Sequence, residues 1–216
     1  MRYSLLVFDW DGTLIDSAPT IVACIQSACR DLGLAVPDQA RASHVIGLGL
    51  KDALSYAIPG LPAGDYGKVV ESYRKHFLAR DPEIPLFAGA RAMLADLRDR
   101  GHVLAIATGK SRAGLTRALD NTGLGPLFAA SRCADQCASK PAPDMLCELM
   151  EELGTNAVNT LMIGDTVHDL QMAARAGVRA VAVSHGAHPR RELVALAPLA
   201  CLENIEELTR WLAQNA

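Results

Sequence analysis

Ser4-Leu5-Leu6-Val7-Phe8-Asp9-Trp10-Asp11-Gly12-Thr13 is the stretch whose reading decides the fold. A short apolar run that ends in carboxylates and a glycine turn has the pattern of a buried strand in a parallel sheet. The carboxylates then lie at the strand's carboxyl end, the edge where open α/β sheets place their ligands. Asp9 and Asp11 are two residues apart, so on an extended chain they point the same way. Like charges held that close are costly unless a cation or a shared proton relieves them. The pair therefore predicts a metal site or an acid–base pair.

Outward from this strand the chain alternates. A helical pattern runs from Pro19 to Gly33, with Ile21, Cys24, Ile25, Ala28 and Leu32 on one face. From Gly89 onward the alternation is regular. Helices are expected over Ala90–Arg100, Arg112–Asn121, Asp144–Leu153, a stretch ending at Ala176, and Glu206–Leu212. Strands are expected at Val103–Ala107, Leu127–Ala130, Thr160–Ile163 and, as the last, Ala180–Val183. This predicts an α/β fold, a Rossmann-like parallel sheet with helices on both faces. Residues 16–84 interrupt the pattern and are too long for a loop. They read as an inserted α-helical cap, leaving 1–15 and 85–216 as the core.

Composition narrows the function. The chain has 216 residues, half of them hydrophobic, and a formal charge of −3 with no basic block. Neither nucleic acid nor membrane is expected as a partner. The start, Met1-Arg2-Tyr3-Ser4, leads straight into the strand and does not read as a signal peptide. Six cysteines show no Cys-x-x-Cys spacing; Cys133 and Cys137 have the spacing to meet on a helix. All six read as reduced thiols of a cytoplasmic protein.

Three further segments carry polar chemistry. Thr108-Gly109-Lys110-Ser111 follows a strand and opens a helix, where free N–H groups and the positive dipole end suit an anion. Lys140 precedes Pro141-Ala142-Pro143, which fix the backbone around it. Gly164-Asp165-Thr166-Val167-His168-Asp169 places two more carboxylates near each other if a helical turn begins there. The set offers carboxylates for a hard cation, donors for phosphate oxygens and a lysine to balance charge.

In this order the four segments resemble the motifs of the haloacid dehalogenase superfamily, in its phosphatase branch, with a small helical cap. The phosphoglycolate phosphatase-like group is the most similar. Gly109 departs from the pattern, since many relatives carry Asn there. The resemblance implies that Asp9 is the nucleophile that forms an aspartyl-phosphate and that Asp11 is the acid–base. It implies Mg²⁺ held by Asp9, the Asp11 carbonyl and Asp165. Asp169 would serve the metal site from behind, through water or Lys140. Thr108, Gly109, Lys110 and Lys140 would hold the phosphoryl oxygens. Trp10 should point away from both aspartates into packing.

The implied reaction is hydrolysis of a small phosphomonoester from a phosphorylated metabolite. The alternatives are a phosphomutase of the same superfamily, similar to β-phosphoglucomutase, and a non-catalytic phosphate-ligand binder. Dehalogenase relatives lack an acid at the Asp11 position. Phosphonate-cleaving relatives need a cap lysine in an apolar setting, which neither Lys51 nor Lys68 has. His44-Val45-Ile46-Gly47-Leu48-Gly49-Leu50-Lys51 is the candidate specificity loop, with Gly47 allowing close approach and Lys51 or His44 meeting a substrate anion. The other reading of that loop is a plain helix–helix connection. Arg74 and Lys75 read as solvated. His168 reads either as lining the site or as a helix-surface residue, and His185 and His188 as rim residues of the pocket and not as ligands. Nothing in the sequence demands a second subunit, and the oligomeric state stays open.

Overall fold

The computed structural model describes residues 2–216. In chain order its elements are β1 (Leu5–Phe8), α1 (Ala18–Asp31), α2 (Gln39–His44), α3 (Leu50–Ala57), α4 (Tyr66–Leu78), α5 (Ala90–Asp99), β2 (Val103–Thr108), α6 (Arg112–Thr122), β3 (Ala130–Cys133), α7 (Asp144–Glu152), β4 (Thr160–Gly164), α8 (Val167–Arg175), β5 (Arg179–Val183), α9 (Arg190–Val194), β6 (Cys201–Leu202) and α10 (Ile205–Asn215). The strands form one six-stranded sheet in the order β3-β2-β1-β4-β5-β6. Every pairing is parallel. β1 therefore lies at the centre, where the strand order reverses, and its carboxyl end faces the crevice that such a reversal opens.

All four residues of β1 are buried. Their alternation splits the core. Leu6 and Phe8 pack with Leu104, Ile106, Leu161 and Ile163 against α5, α6 and α10. Leu5 and Val7 pack with Ala105, Ala107 and Met162 against α7 and α8. Both faces of the sheet are thus covered, as near-continuous apolar strands require. Trp10 is fully buried in the first of these clusters, edge-on to Phe128.

Helices α1–α4 lie between β1 and β2 and have a hydrophobic core of their own. Ile25, Ala28 and Cys29 of α1 meet Val69 and Phe77 of α4, with Leu54 of α3 beneath. The chain leaves and re-enters the sheet domain side by side. Ile15 bridges Leu86 in antiparallel sense. The Asp16 amide donates to the Pro85 carbonyl at 2.9 Å, and the Phe87 amide to that of Leu14 at 3.0 Å.

Three expectations shift. The strand expected at Leu127–Ala130 lies at Ala130–Cys133, because Pro126 helps turn Gly125–Leu127 into a short 3-10 helix. Cys133 therefore ends a strand and shares no helix with Cys137. A strand beyond the expected last one, β6, adds the short Cys201–Leu202 edge. All six cysteines are free thiols. Among the described residues, no helix is long and apolar enough to cross a membrane.

Candidate active site

Asp9 follows β1 and is fully buried, its amide still on the sheet ladder through the Ile163 carbonyl at 2.9 Å. Lys140, equally buried, donates to Asp9 Oδ1 at 2.7 Å and to Asp169 Oδ1 at 2.6 Å. The other carboxylate oxygen of Asp9, Oδ2, is buried and has no hydrogen-bond partner. Burial pushes the Asp9 carboxyl well above the ordinary carboxylate range; Lys140 opposes this, while Asp169 and Asp165 add to it. Burial also works against the Lys140 ammonium, but Asp169 and Asp9 hold its pKa above the usual lysine value.

Asp165 follows β4, the neighbour of β1. Thr13 donates to its Oδ1 at 2.7 Å and the Ala187 amide to its Oδ2 at 2.7 Å. The chain wraps it closely: a Cβ on Gly12 would come within 2.2 Å of Asp165 Oδ2, and one on Gly186 within 2.1 Å. Burial and then the Asp169 charge push the Asp165 carboxyl up to about 7, against the Ala187 and Thr13 hydrogen bonds. Asp169 is fixed in a capping box at the start of α8, where Thr166 donates from its amide at 3.1 Å and its hydroxyl at 2.6 Å. Asp9, Asp165 and Asp169 bring ligand oxygens within 4.8 Å of one another. Three buried carboxylates beside one ammonium leave excess negative charge, and Asp9 Oδ2 lacks any donor. A hard cation with oxygen ligands fits that surplus.

Asp11 stands apart from this cluster. Ser17 donates to its Oδ1 at 2.6 Å and the Lys110 ammonium lies 3.0 Å from the same atom. The carboxylates that press on Asp9 are Asp169 and Asp165. The chain turns at Gly12–Leu14, just beyond Asp11, and the two side chains meet different cations, Lys140 at Asp9 and Lys110 at Asp11.

Thr108 ends β2, fully buried, and its hydroxyl accepts from the Lys110 amide at 3.2 Å. Gly109 presses on the helical layer: a Cβ there would lie 2.4 Å from the Leu48 carbonyl oxygen and 2.6 Å from that of Gly47. The loop after α2 thus meets the sheet edge through its backbone. Its Gly49 amide donates to Ser139 Oγ at 2.7 Å. The His44 carbonyl faces His168 Nε2 at 2.7 Å and His188 Nε2 at 3.1 Å. Lys51 is exposed on α3, and Arg74 and Lys75 are exposed on α4. The His44 ring stacks on His188, 4.9 Å away. His185 packs on Phe87, with Nε2 3.2 Å from the Thr13 carbonyl.

Thr13, Ser17, Thr166 and the Ala187 amide hold the carboxylates, yet none was singled out from the sequence. Thr13 and Ser17 follow Asp11 closely and Thr166 opens the last motif, so proximity was a signal. The Ala187 contact comes from a backbone atom and left no trace in residue type.

A family model described as haloacid dehalogenase-like hydrolase matches residues 6–183. A probable phosphatase, IndB, of Dickeya dadantii is 36% identical over 210 residues, covering 94% of this chain and 91% of its own. A phosphoglycolate phosphatase of Synechococcus elongatus is 29% identical over 97% of each chain. The crystal structure of a hydrolase from Pseudomonas syringae has the same fold, with a TM-score of 0.89 at 24% identity over 99% of each chain.

Proposed function

The chain belongs to the haloacid dehalogenase-like hydrolases, and from that premise we propose that it is a Mg²⁺-dependent phosphatase of small phosphomonoesters, with residues 16–84 as its cap. The observation that carries this reading is Asp9: one oxygen held by Lys140, the other buried and free of any donor. Asp9 attacks phosphorus, and the bond from phosphorus to the leaving oxygen breaks as Asp11 gives that oxygen its proton. Water then attacks the aspartyl-phosphate. Asp11 takes the water's proton, and phosphate leaves with Asp9 restored.

Asp11 suits a proton carrier because it lies outside the crowded cluster, with Ser17 and Lys110 fixing its position. Thr108, the Gly109 amide and the start of α6 receive the phosphoryl oxygens. Asp169 keeps Lys140 aimed at Asp9. Asp9, Asp165 and the Asp11 carbonyl would hold Mg²⁺. The ion supplies charge neutralisation to the transferring phosphoryl group.

Phosphate release from a panel of phosphomonoesters, with Mg²⁺ and with chelator, tests the reading. Release that needs Mg²⁺ and falls at least about 10⁴-fold in Asp9→Asn is expected. No release by the folded protein would move the reading to a mutase or a phosphate-ligand binder.

A further inference from the structure

A cavity of about 760 Å³ lies between α1, α3, α4 and the start of α6. That is within the roughly 300–1,000 Å³ of small-molecule pockets. Its walls are apolar: Ile21, Leu48, Leu50, Val70, Tyr73 and Phe77 face it, and the last two form a stacked aromatic pair at 5.8 Å. Asp11, Lys110 and Gly109 stand on the same wall. The cavity therefore opens on the group that would protonate the leaving oxygen. Whatever is bonded to that oxygen must project into it.

We infer that the cavity receives the body of the substrate, and that the substrate is a phosphomonoester whose alcohol carries an apolar group of aromatic size. The inference rests on the phosphatase reading above. A short carboxylated alcohol fits poorly, because its anion needs a desolvated cation. Lys110 is taken by Asp11 and lies over the Phe77 ring at 4.7 Å. Arg117 is paired with Asp81. Lys51 and Arg74 line the cavity from exposed positions, where water screens them. A small alcohol would also leave the aliphatic and aromatic walls wet, whereas an apolar body removes them from water.

Ethyl, hexyl and 2-phenylethyl phosphate separate the cases, since their alcohols leave with similar difficulty and differ in apolar bulk. The expected result is a kcat/KM at least about tenfold higher for 2-phenylethyl than for ethyl phosphate. Val70→Asp should bring that ratio toward one. Calorimetry on the unaltered protein with Mg²⁺ reads the cavity without turnover: 3-phenylpropylphosphonate should bind at least about tenfold tighter than propylphosphonate. Hydrolysis of all three esters at one rate, or equal binding of the two phosphonates, overturns the inference and leaves the phosphatase reading standing. A binding preference with no phosphate release supports the cavity assignment and overturns the phosphatase reading.

Discussion

The two sides of the cleft are built on opposite terms. On the sheet side, Asp9, Asp165, Asp169 and Lys140 are buried and the polar contacts they make, with one another and with Thr13 and the Ala187 amide, are short and specific. On the helical side, α1, α3 and α4 present aliphatic and aromatic walls; one loop meets the core through its backbone, and Asp81 and Ser17 add side-chain contacts to Arg117 and Asp11. Buried charge must be placed in advance, since any group left unpaired there is costly. An apolar wall asks only for shape. One side can therefore hold a fixed chemistry while the other varies in what it admits.

The comparison breaks first at Lys140. Lys140→Met removes the ammonium that donates to both Asp9 and Asp169 and leaves two buried carboxylates without it. A loss of about 3–5 kcal/mol is expected, read by urea unfolding at neutral pH. Unchanged stability would mean that the sheet side tolerates bare carboxylates and is less finely balanced than its contacts suggest.

A smaller effect sharpens the seam between the sides. Burial, with the neighbouring His168 next in weight, lowers the His188 pKa from 6.5 to about 4. The His44, His168 and His188 rings lie together, and His188 Nδ1 accepts from the Val167 amide at 3.1 Å. Between pH 6.5 and 4 the unfolded chain binds a proton that folded His188 refuses. Stability from this group is full above about pH 6.5 and is lost as the pH falls through 4, by up to about 3 kcal/mol. Urea unfolding at pH 7, 5.5 and 4.5 should show that fall. His188→Asn, which keeps an acceptor for Val167, should flatten part of the slope; an unaltered slope would place the titrating group elsewhere.

The gentlest break is Gly109→Ala. Its Cβ would meet the Gly47 and Leu48 carbonyls, so the loop must lift from the sheet edge. A roughly tenfold drop in kcat/KM, with the fold intact by circular dichroism, is expected from that displacement. Equal activity would show that the two sides need not touch there.

The sheet side was largely legible in the sequence because its chemistry uses rare residue types at strand ends. Asp9, Lys140 and Asp165 were each visible from motif spacing, and the structure places them together. What escaped was geometry that residue type does not encode. The partners of Asp11, Ser17 and Lys110, come from the segment after it and from just beyond the end of β2. The β3 boundary moved because a Pro-containing turn displaced an apolar run. β6 has only two residues, too few to show a period. Gly109 read as a missing side chain; in the fold it marks the place where another backbone lies against it. Of the cavity, the loop from Gly47 to Lys51 was legible as a wall facing the site; the rest was not, because α1, α3, α4 and the start of α6 each carry an ordinary amphipathic pattern.

The paired crossing at Ile15 and Leu86 has a consequence for engineering. Its two chains run antiparallel one ladder step apart, the spacing that a tight hairpin turn spans. The crossing is a natural splice point. Joining Ile15 to Leu86 by a short turn in place of residues 16–85 is expected to leave the sheet folded, which circular dichroism and urea unfolding of the shortened chain would check.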